Sequence, residues 1–352
     1  MASDIELILS EKKPFIEKAI AELLPREYDN KSIERIAGKA RYSYDVDTIS
    51  KSINEPVWDL LDRGGKRWRP ALLLLTVEAF DKDWKKALPY AAMVELVHNG
   101  TLIIDDVEDD SALRRGKPCL HKTYGIDIAG NAGSAIYFIP IAGLFNNNDY
   151  SAEKRYKIFQ VYTEEMVNVS IGQGMDIYWH KGMKENISEN EYLQMCAYKT
   201  GCLARMAIKT GAILADANEE QVEKLSRFAE SVGIAFQIQD DVLNLTGEKF
   251  GAMKGVGEDI HEGKRTIMVL HALKHSDKAK RLVQILNSHP SDGKTIHEAI
   301  SIMREAGSID YAKKRAVEIV RDAWKEAEKT LPDTEGKKKL KALADYLIER
   351  DV

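Results

Sequence analysis

An apolar run with helical spacing begins near position 91. It ends in the most acidic stretch of the chain, Leu102-Ile103-Ile104-Asp105-Asp106-Val107-Glu108-Asp109-Asp110. On a helix, Asp105 and Asp109 are one turn apart and Asp106 lies three residues before Asp109, so three carboxylates share one side. Carboxylates this close repel unless a cation bridges them, and oxygen ligands with room for water and phosphate suit Mg²⁺. A solvated acidic helix end is the plain alternative. Acids sit poorly at the negative C-terminal pole of a helix, however, and their placement there favours a compensating cation.

A second apolar helix ends the same way. Residues 233 to 245 close on Gln237-Ile238-Gln239-Asp240-Asp241, with Asn244 one turn beyond Asp240. Two acidic pairs on separate helices could face each other across a bundle and share metals. Alternating strands bounded by hairpin signals are not found in the sequence, so the expected class is all-α, a multi-helix bundle. At 352 residues the chain can bury a large core, and we expect one domain. Residues 1–45 would form N-terminal helices, 60–270 a catalytic core, and 271–352 C-terminal helices.

Composition narrows the setting. With 51 Lys and Arg against 56 Asp and Glu, the mild acidity gives no reason to expect nucleic acid. Cys119, Cys196 and Cys202 form neither a CxxC pair nor an even set, which suits a reducing compartment. The N-terminus has acids among its first residues and no signal-type apolar core, so the expected location is the cytoplasm. Positions 128 to 145 are uncharged and long enough to suggest a membrane span. That run contains Asn131, Ser134, Pro140 and three glycines, so a helix buried on all sides is expected there, with no transmembrane segment.

Cationic residues punctuate the same core. Arg63-Gly64-Gly65-Lys66-Arg67-Trp68-Arg69-Pro70 joins two permissive glycines to three basic side chains ahead of a helix, a pattern suited to phosphate. A plain basic loop is the alternative. His98 lies two helical turns before Asp105, on the same face, where it could hold an anionic group. Arg114 and Arg115 follow the acidic cluster within about two helical turns and could clamp a diphosphate. Gln173 and Asp176 are polar residues in an apolar helix and want partners. Lys199-Thr200-Gly201 and a polar, glycine-rich loop from 247 to 263, carrying Lys254 and followed by Lys264, complete the set.

Taken together, in this order, these motifs resemble the trans-isoprenyl diphosphate synthases of the polyprenyl synthetase family over roughly residues 60–270. The family's first DDxxD motif is matched by Asp105, Asp106 and Asp109. The second appears as Asp240, Asp241 and Asn244, with Asn in place of the last Asp. The resemblance implies an isoprenoid-synthase fold around a deep cavity, usually a homodimer. It also implies condensation of isopentenyl diphosphate with an allylic diphosphate. Three Mg²⁺ would be held by Asp105, Asp109 and Asp240. Isopentenyl diphosphate would bind Lys66, Arg69, His98 and Arg115. The allylic diphosphate would engage Arg114, Lys199, Thr200, Gln237, Lys254 and Lys264. In the family, the residues four and five positions before the first Asp set the floor of the product pocket. Here they are Thr101 and Gly100, both small, which implies products of C20 or longer. The floor would then fall to Tyr137, Phe138 or Phe145, or to Met166 and Ser170. A non-catalytic regulatory subunit, or another class I terpenoid enzyme, is the alternative.

Overall fold

The computed structural model describes residues 4–145, 147–184, 186–246 and 257–349. Its contacts gather into two compact units. The first comprises Met1–Val161, Ala207–Asn218 and Pro332–Leu343, and the second Tyr162–Met206, Glu219–Leu331 and Ala344–Val352. Helices build both. The one sheet among the described residues is a two-residue hairpin, Leu113–Arg114 paired with Lys117–Pro118. The sequence signalled no hairpin there, because two residues per strand are too few for alternation to show. Arg115 (φ 53°) and Gly116 (φ 75°) supply its tight left-handed turn.

The first unit is organised on the helix Leu88–Glu108, which Pro89 opens at a position where proline costs no hydrogen bond. Residues from Tyr90 to Val97 are almost wholly buried. The helix packs on Ile126–Leu144, Asp4–Leu23 and Trp68–Ala79. Its crossing with Ile126–Leu144 depends on glycine. A Cβ on Gly100 would lie 2.9 Å from a Tyr137 ring carbon and 3.0 Å from the Gly133 carbonyl oxygen. The start of the Glu335–Glu349 helix docks in the same unit, where the Thr334 hydroxyl donates to the Ala79 carbonyl at 3.0 Å.

The run at 128–145 is indeed a helix, Ile126–Leu144, but it is not buried on all sides. Phe138 is 68% exposed and Ile126 67%. The apolar residues outnumber the positions facing the core. By length and composition the described helix that could cross a membrane is a different one, Trp84–Glu108, and 67% of its apolar window is buried within the protein.

In the second unit the helix Glu219–Thr246 packs along Ser308–Ala327, with Phe228 against Trp324 at 4.9 Å between ring centroids. Between Glu189–Cys196 and Cys202–Leu214 the chain widens into a π-turn, Ala197–Gly201. Such turns cluster at functional positions.

Candidate functional site

In the first unit the acidic helix end meets the basic loop residues. Asp105 and Asp109 are half-buried, and Asp106 is buried at 2% exposure. The Arg114 Nε donates to Asp106 Oδ1 at 2.8 Å, and its Nη2 also bonds Asp106 and approaches Asp105 Oδ2 at 3.5 Å. Arg114 thereby neutralises Asp106. Asp105 and Asp109, one turn apart, keep the donor chemistry that suits Mg²⁺, two carboxylates that water and phosphate oxygens would complete. Among the described residues no three His, Cys, Asp or Glu side chains form a closed metal cage. The arrangement fits a hard cation completed by its substrate.

The hairpin that carries Arg114 and Arg115 is held by Arg63. Its Nη1 donates to the carbonyls of Arg114 (3.1 Å) and Pro118 (2.9 Å), and its Nε bonds Asp59 at 3.1 Å. The loop before the helix Trp68–Ala79 is left-handed at Gly64 (φ 88°) and Arg67 (φ 53°), and Gly65 sits at φ 145°. That backbone separates three cations that are near neighbours in the sequence. Lys66 faces outward and Arg69 is buried over the Trp68 ring at 4.3 Å, whereas Arg67 turns inward. Arg67 Nη1 donates to the buried Glu95 at 2.8 Å and Nη2 to the Leu61 carbonyl at 3.0 Å. It is a structural ion pair and leaves the phosphate-facing set to its neighbours.

His98 sits beside Arg69, with Nε2 3.2 Å from Nη1. A guanidinium can only donate, so Nε2 is the acceptor and the ring proton is on Nδ1. Burial, reinforced by the charges of Arg69, Arg115 and Arg114, holds the imidazole well below its usual pKa and therefore neutral. Arg115 donates to the Leu60 carbonyl at 2.9 Å and to Asn99 Oδ1 at 3.3 Å. Asn99 Nδ2 in turn donates to Glu95 at 3.1 Å. Burial and neighbouring cations lower Arg115 to about 10. The Cys119 thiol, fully buried beside Asp106, is pushed up to about 12 by burial and that carboxylate. Glu95, Asn99 and Arg63 were not singled out from sequence. Glu95 and Asn99 were findable, as two polar residues one turn apart in an apolar helix.

The second unit gathers the other predicted set. Lys199 Nζ bonds Asp176 at 2.5 Å, and the Thr200 hydroxyl donates to Gln237 Oε1 at 2.7 Å. Gln237 Nε2 donates to Asp241 Oδ1 at 2.8 Å, and the Tyr192 hydroxyl to Oδ2 at 2.8 Å. Asp241 is therefore wired inward, while Asp240, half-buried, lies on the open side. Burial, helped by the Asp259 charge, raises the Asp241 carboxyl well above its usual range. At Asp176 burial opposes ionisation, but Lys199 and Lys264 outweigh it and lower the carboxyl. Lys264 pairs with Asp259 at 3.5 Å and with Glu262. A cavity of about 30 Å³ is lined by Asp176, Lys199, Gln237, Lys264 and their neighbours.

Asn244, in the place of the second motif's last Asp, is engaged by the backbone. It is 3% exposed, and its Oδ1 accepts the Asp259 backbone N–H at 3.3 Å, so it anchors the returning chain. Lys254 lies outside the described residues. Gly100 faces the helix crossing, whereas Thr101 is half-buried and its hydroxyl bonds the His98 carbonyl at 2.8 Å. Phe138 and Phe145 are 68% and 55% exposed, so of the three aromatics on that stretch only Tyr137 turns toward the first-motif helix.

The chain matches the family model for polyprenyl synthetase over residues 50–303. It is 42% identical, over 256 residues, to a short chain isoprenyl diphosphate synthase of Methanocaldococcus jannaschii, covering 72% of this chain and 76% of that one. A geranylfarnesyl diphosphate synthase of Natronomonas pharaonis is 31% identical across 99% of this chain and 98% of its own. The solved geranylgeranyl pyrophosphate synthetase of Pyrococcus horikoshii superposes with a TM-score of 0.85 at 30% identity, over 99% of both chains. With the all-α fold and the ordered motifs in place, the chain belongs to the polyprenyl synthetase family and is a prenyltransferase.

Proposed function

We propose that this prenyltransferase condenses isopentenyl diphosphate with an allylic diphosphate by ionisation, condensation and elimination. The product is an all-trans prenyl diphosphate of C20 or longer. The observation that carries the reading is the neutral His98 bonded to Arg69, near the charge of Arg115 and on the helix that ends in the acidic motif. The two guanidiniums supply positive charge for an anion there.

Lys66, Arg69, His98 and Arg115 would bind isopentenyl diphosphate, and Arg114, Lys199 and Lys264 the allylic diphosphate. Asp105, Asp109 and Asp240 would hold Mg²⁺, which, when bound, neutralises charge on the departing diphosphate. The Thr200 hydroxyl donates its hydrogen bond to Gln237, so its oxygen lone pairs remain to face a developing allylic cation. Gln237 is fixed for the same task by its bond to Asp241.

We further assign a homodimer. On the helix Ala152–His180, Tyr156, Val167, Ile171 and Tyr178 are 62%, 53%, 47% and 53% exposed at helical spacing, an apolar stripe that a second copy would cover.

The test is incubation of purified protein with Mg²⁺, isopentenyl diphosphate and C5 to C20 allylic primers, with products sized by mass spectrometry. Products ending at C20 or above are expected. No elongation from any primer would overturn the reading and favour a modulatory subunit.

A further inference from the structure

The π-turn Ala197–Gly201 presents Lys199 and Thr200, and two glycines on two other helices admit its backbone. A Cβ at Gly172 would lie 2.3 Å from the Lys199 nitrogen and 2.7 Å from the Tyr198 carbonyl carbon. A Cβ at Gly233 would lie 2.4 Å from the Gly201 Cα and 3.0 Å from its nitrogen. Neither separation is possible for a real side chain, and the obstructing atoms are backbone. One helical turn beyond each glycine, on the same face, stands the residue that receives a side chain of the turn. Asp176 follows Gly172 by four positions and pairs with Lys199; Gln237 follows Gly233 by four and bonds Thr200.

We propose that these two Gly-x-x-x-polar units form a matched positioning device. In each, glycine fixes the distance of the turn and the polar residue one turn on fixes the direction of its side chain. Gly172 aims Lys199, and Gly233 aims Thr200. A π-turn is a costly local conformation and persists only where its surroundings impose it. A third support comes from Arg205, whose Nη1 reaches back to the Ala197 carbonyl at 3.4 Å. The same guanidinium is anchored on the fully buried Glu165, at 2.6 Å from Nη2, and on Glu230. Gly172, Gly233 and Arg205 are thus positioning residues, since none supplies an atom to the reaction. The inference rests on the roles proposed for Lys199 and Thr200.

The test compares Gly172→Ala and Gly233→Ala with Gly174→Ala, on the same helix as Gly172, where a Cβ would meet nothing within 4 Å. Lys199→Ala is run in parallel. Steady-state kinetics with Mg²⁺, isopentenyl diphosphate and farnesyl diphosphate are read beside circular dichroism and melting. The device requires Gly172→Ala and Gly233→Ala to lose at least 30-fold in kcat with helicity kept. The KM for isopentenyl diphosphate should stay within two-fold, and Gly174→Ala should match the parent. That split separates misdirected side chains from general damage, which would move both constants. Wild-type kcat in either clamp variant overturns the proposal. Should Lys199→Ala also keep full activity, the role assigned to Lys199 is what fails. If neither clamp variant folds, Arg205→Lys decides. It keeps the charge on Glu165 but cannot also reach Ala197, so a kcat loss of about five-fold is required and an unchanged kcat refutes the device.

Discussion

The buried pair Arg67–Glu95 links stability to substrate binding, and removing Glu95 tests both. The two side chains are 3% and 4% exposed and 2.8 Å apart. In Glu95→Ala the Arg67 guanidinium stays buried with the Leu61 carbonyl as its near acceptor and a glutamate, Glu17, only at 4.0 Å. Breaking such a pair from one side costs about 3–5 kcal/mol, because the surviving charge has lost both water and partner. At about 1.4 °C per kcal/mol for a chain of this size, melting should fall by about 4–7 °C. Replacing both partners with Met leaves no charge stranded and should recover most of that loss. The Asn99 amide keeps the Glu95 backbone carbonyl at 2.8 Å but loses the carboxylate at 3.1 Å, and Asn99 orients Arg115, which also loses the nearby Glu95 charge. The KM for isopentenyl diphosphate should therefore rise in Glu95→Ala, with that for the allylic substrate little changed. Calorimetry and steady-state kinetics on the single and double variants give the answer. A Glu95→Ala protein that melts within 1 °C of the parent, or a double variant no more stable than the single, would refute the reasoning.

Four further outcomes follow from the geometry. Thr101→Tyr should shorten the product by at least one five-carbon unit with little change in melting. Gly100→Ala should leave product length alone and cost about 1–3 kcal/mol by overpacking against Tyr137 and Gly133, offset by about 1 kcal/mol of helix propensity. Product sizing together with melting distinguishes the two, and a shortened product from Gly100→Ala would contradict the packing argument. His98 is depressed below its usual value, so between that lower pKa and about 6.5 the unfolded chain binds a proton the folded one refuses. Stability is then complete above about pH 6.5 and falls with pH below it. His98→Gln, which retains an acceptor for Arg69, should flatten that part of the melting profile; an unaltered profile would exclude His98 as its source. Asn244→Asp should leave the Mg²⁺ concentration for half-maximal activity within two-fold, because this side chain serves the Asp259 amide. A several-fold tightening would return position 244 to the metal.

The sequence was most legible where one physical constraint acted along a single helix. The apolar spacing from position 91 and the Asp105–Asp109 interval gave the helix Leu88–Glu108 and its open carboxylates to within a few residues. It was least legible where neighbouring residues take opposite directions. Lys66, Arg67 and Arg69 are equivalent as charges, and only the left-handed backbone at Arg67 sends one of them inward to Glu95. Asn244 reads as a weakened ligand by motif, and only the returning chain near Asp259 shows what its amide does. The hydrophobic run at 128–145 looked fit for complete burial because composition records how much apolar surface exists, not which part of it a single copy covers.

All three cysteines are buried, and two of them stand next to the acidic motifs in different parts of the chain. Cys119 adjoins Asp106, and Cys196 lies near Tyr192 and Asp241; burial, reinforced by the Asp241 charge, holds the Cys196 thiol well above the usual range. At neutral pH neither is a thiolate in the folded state, so alkylation has to wait for local opening. The two thiols are therefore built-in clocks, one for each motif. Labelling rates resolved by peptide mapping would time the opening at the first motif independently of the second. A diphosphate that slows one clock alone would reveal which motif it has closed.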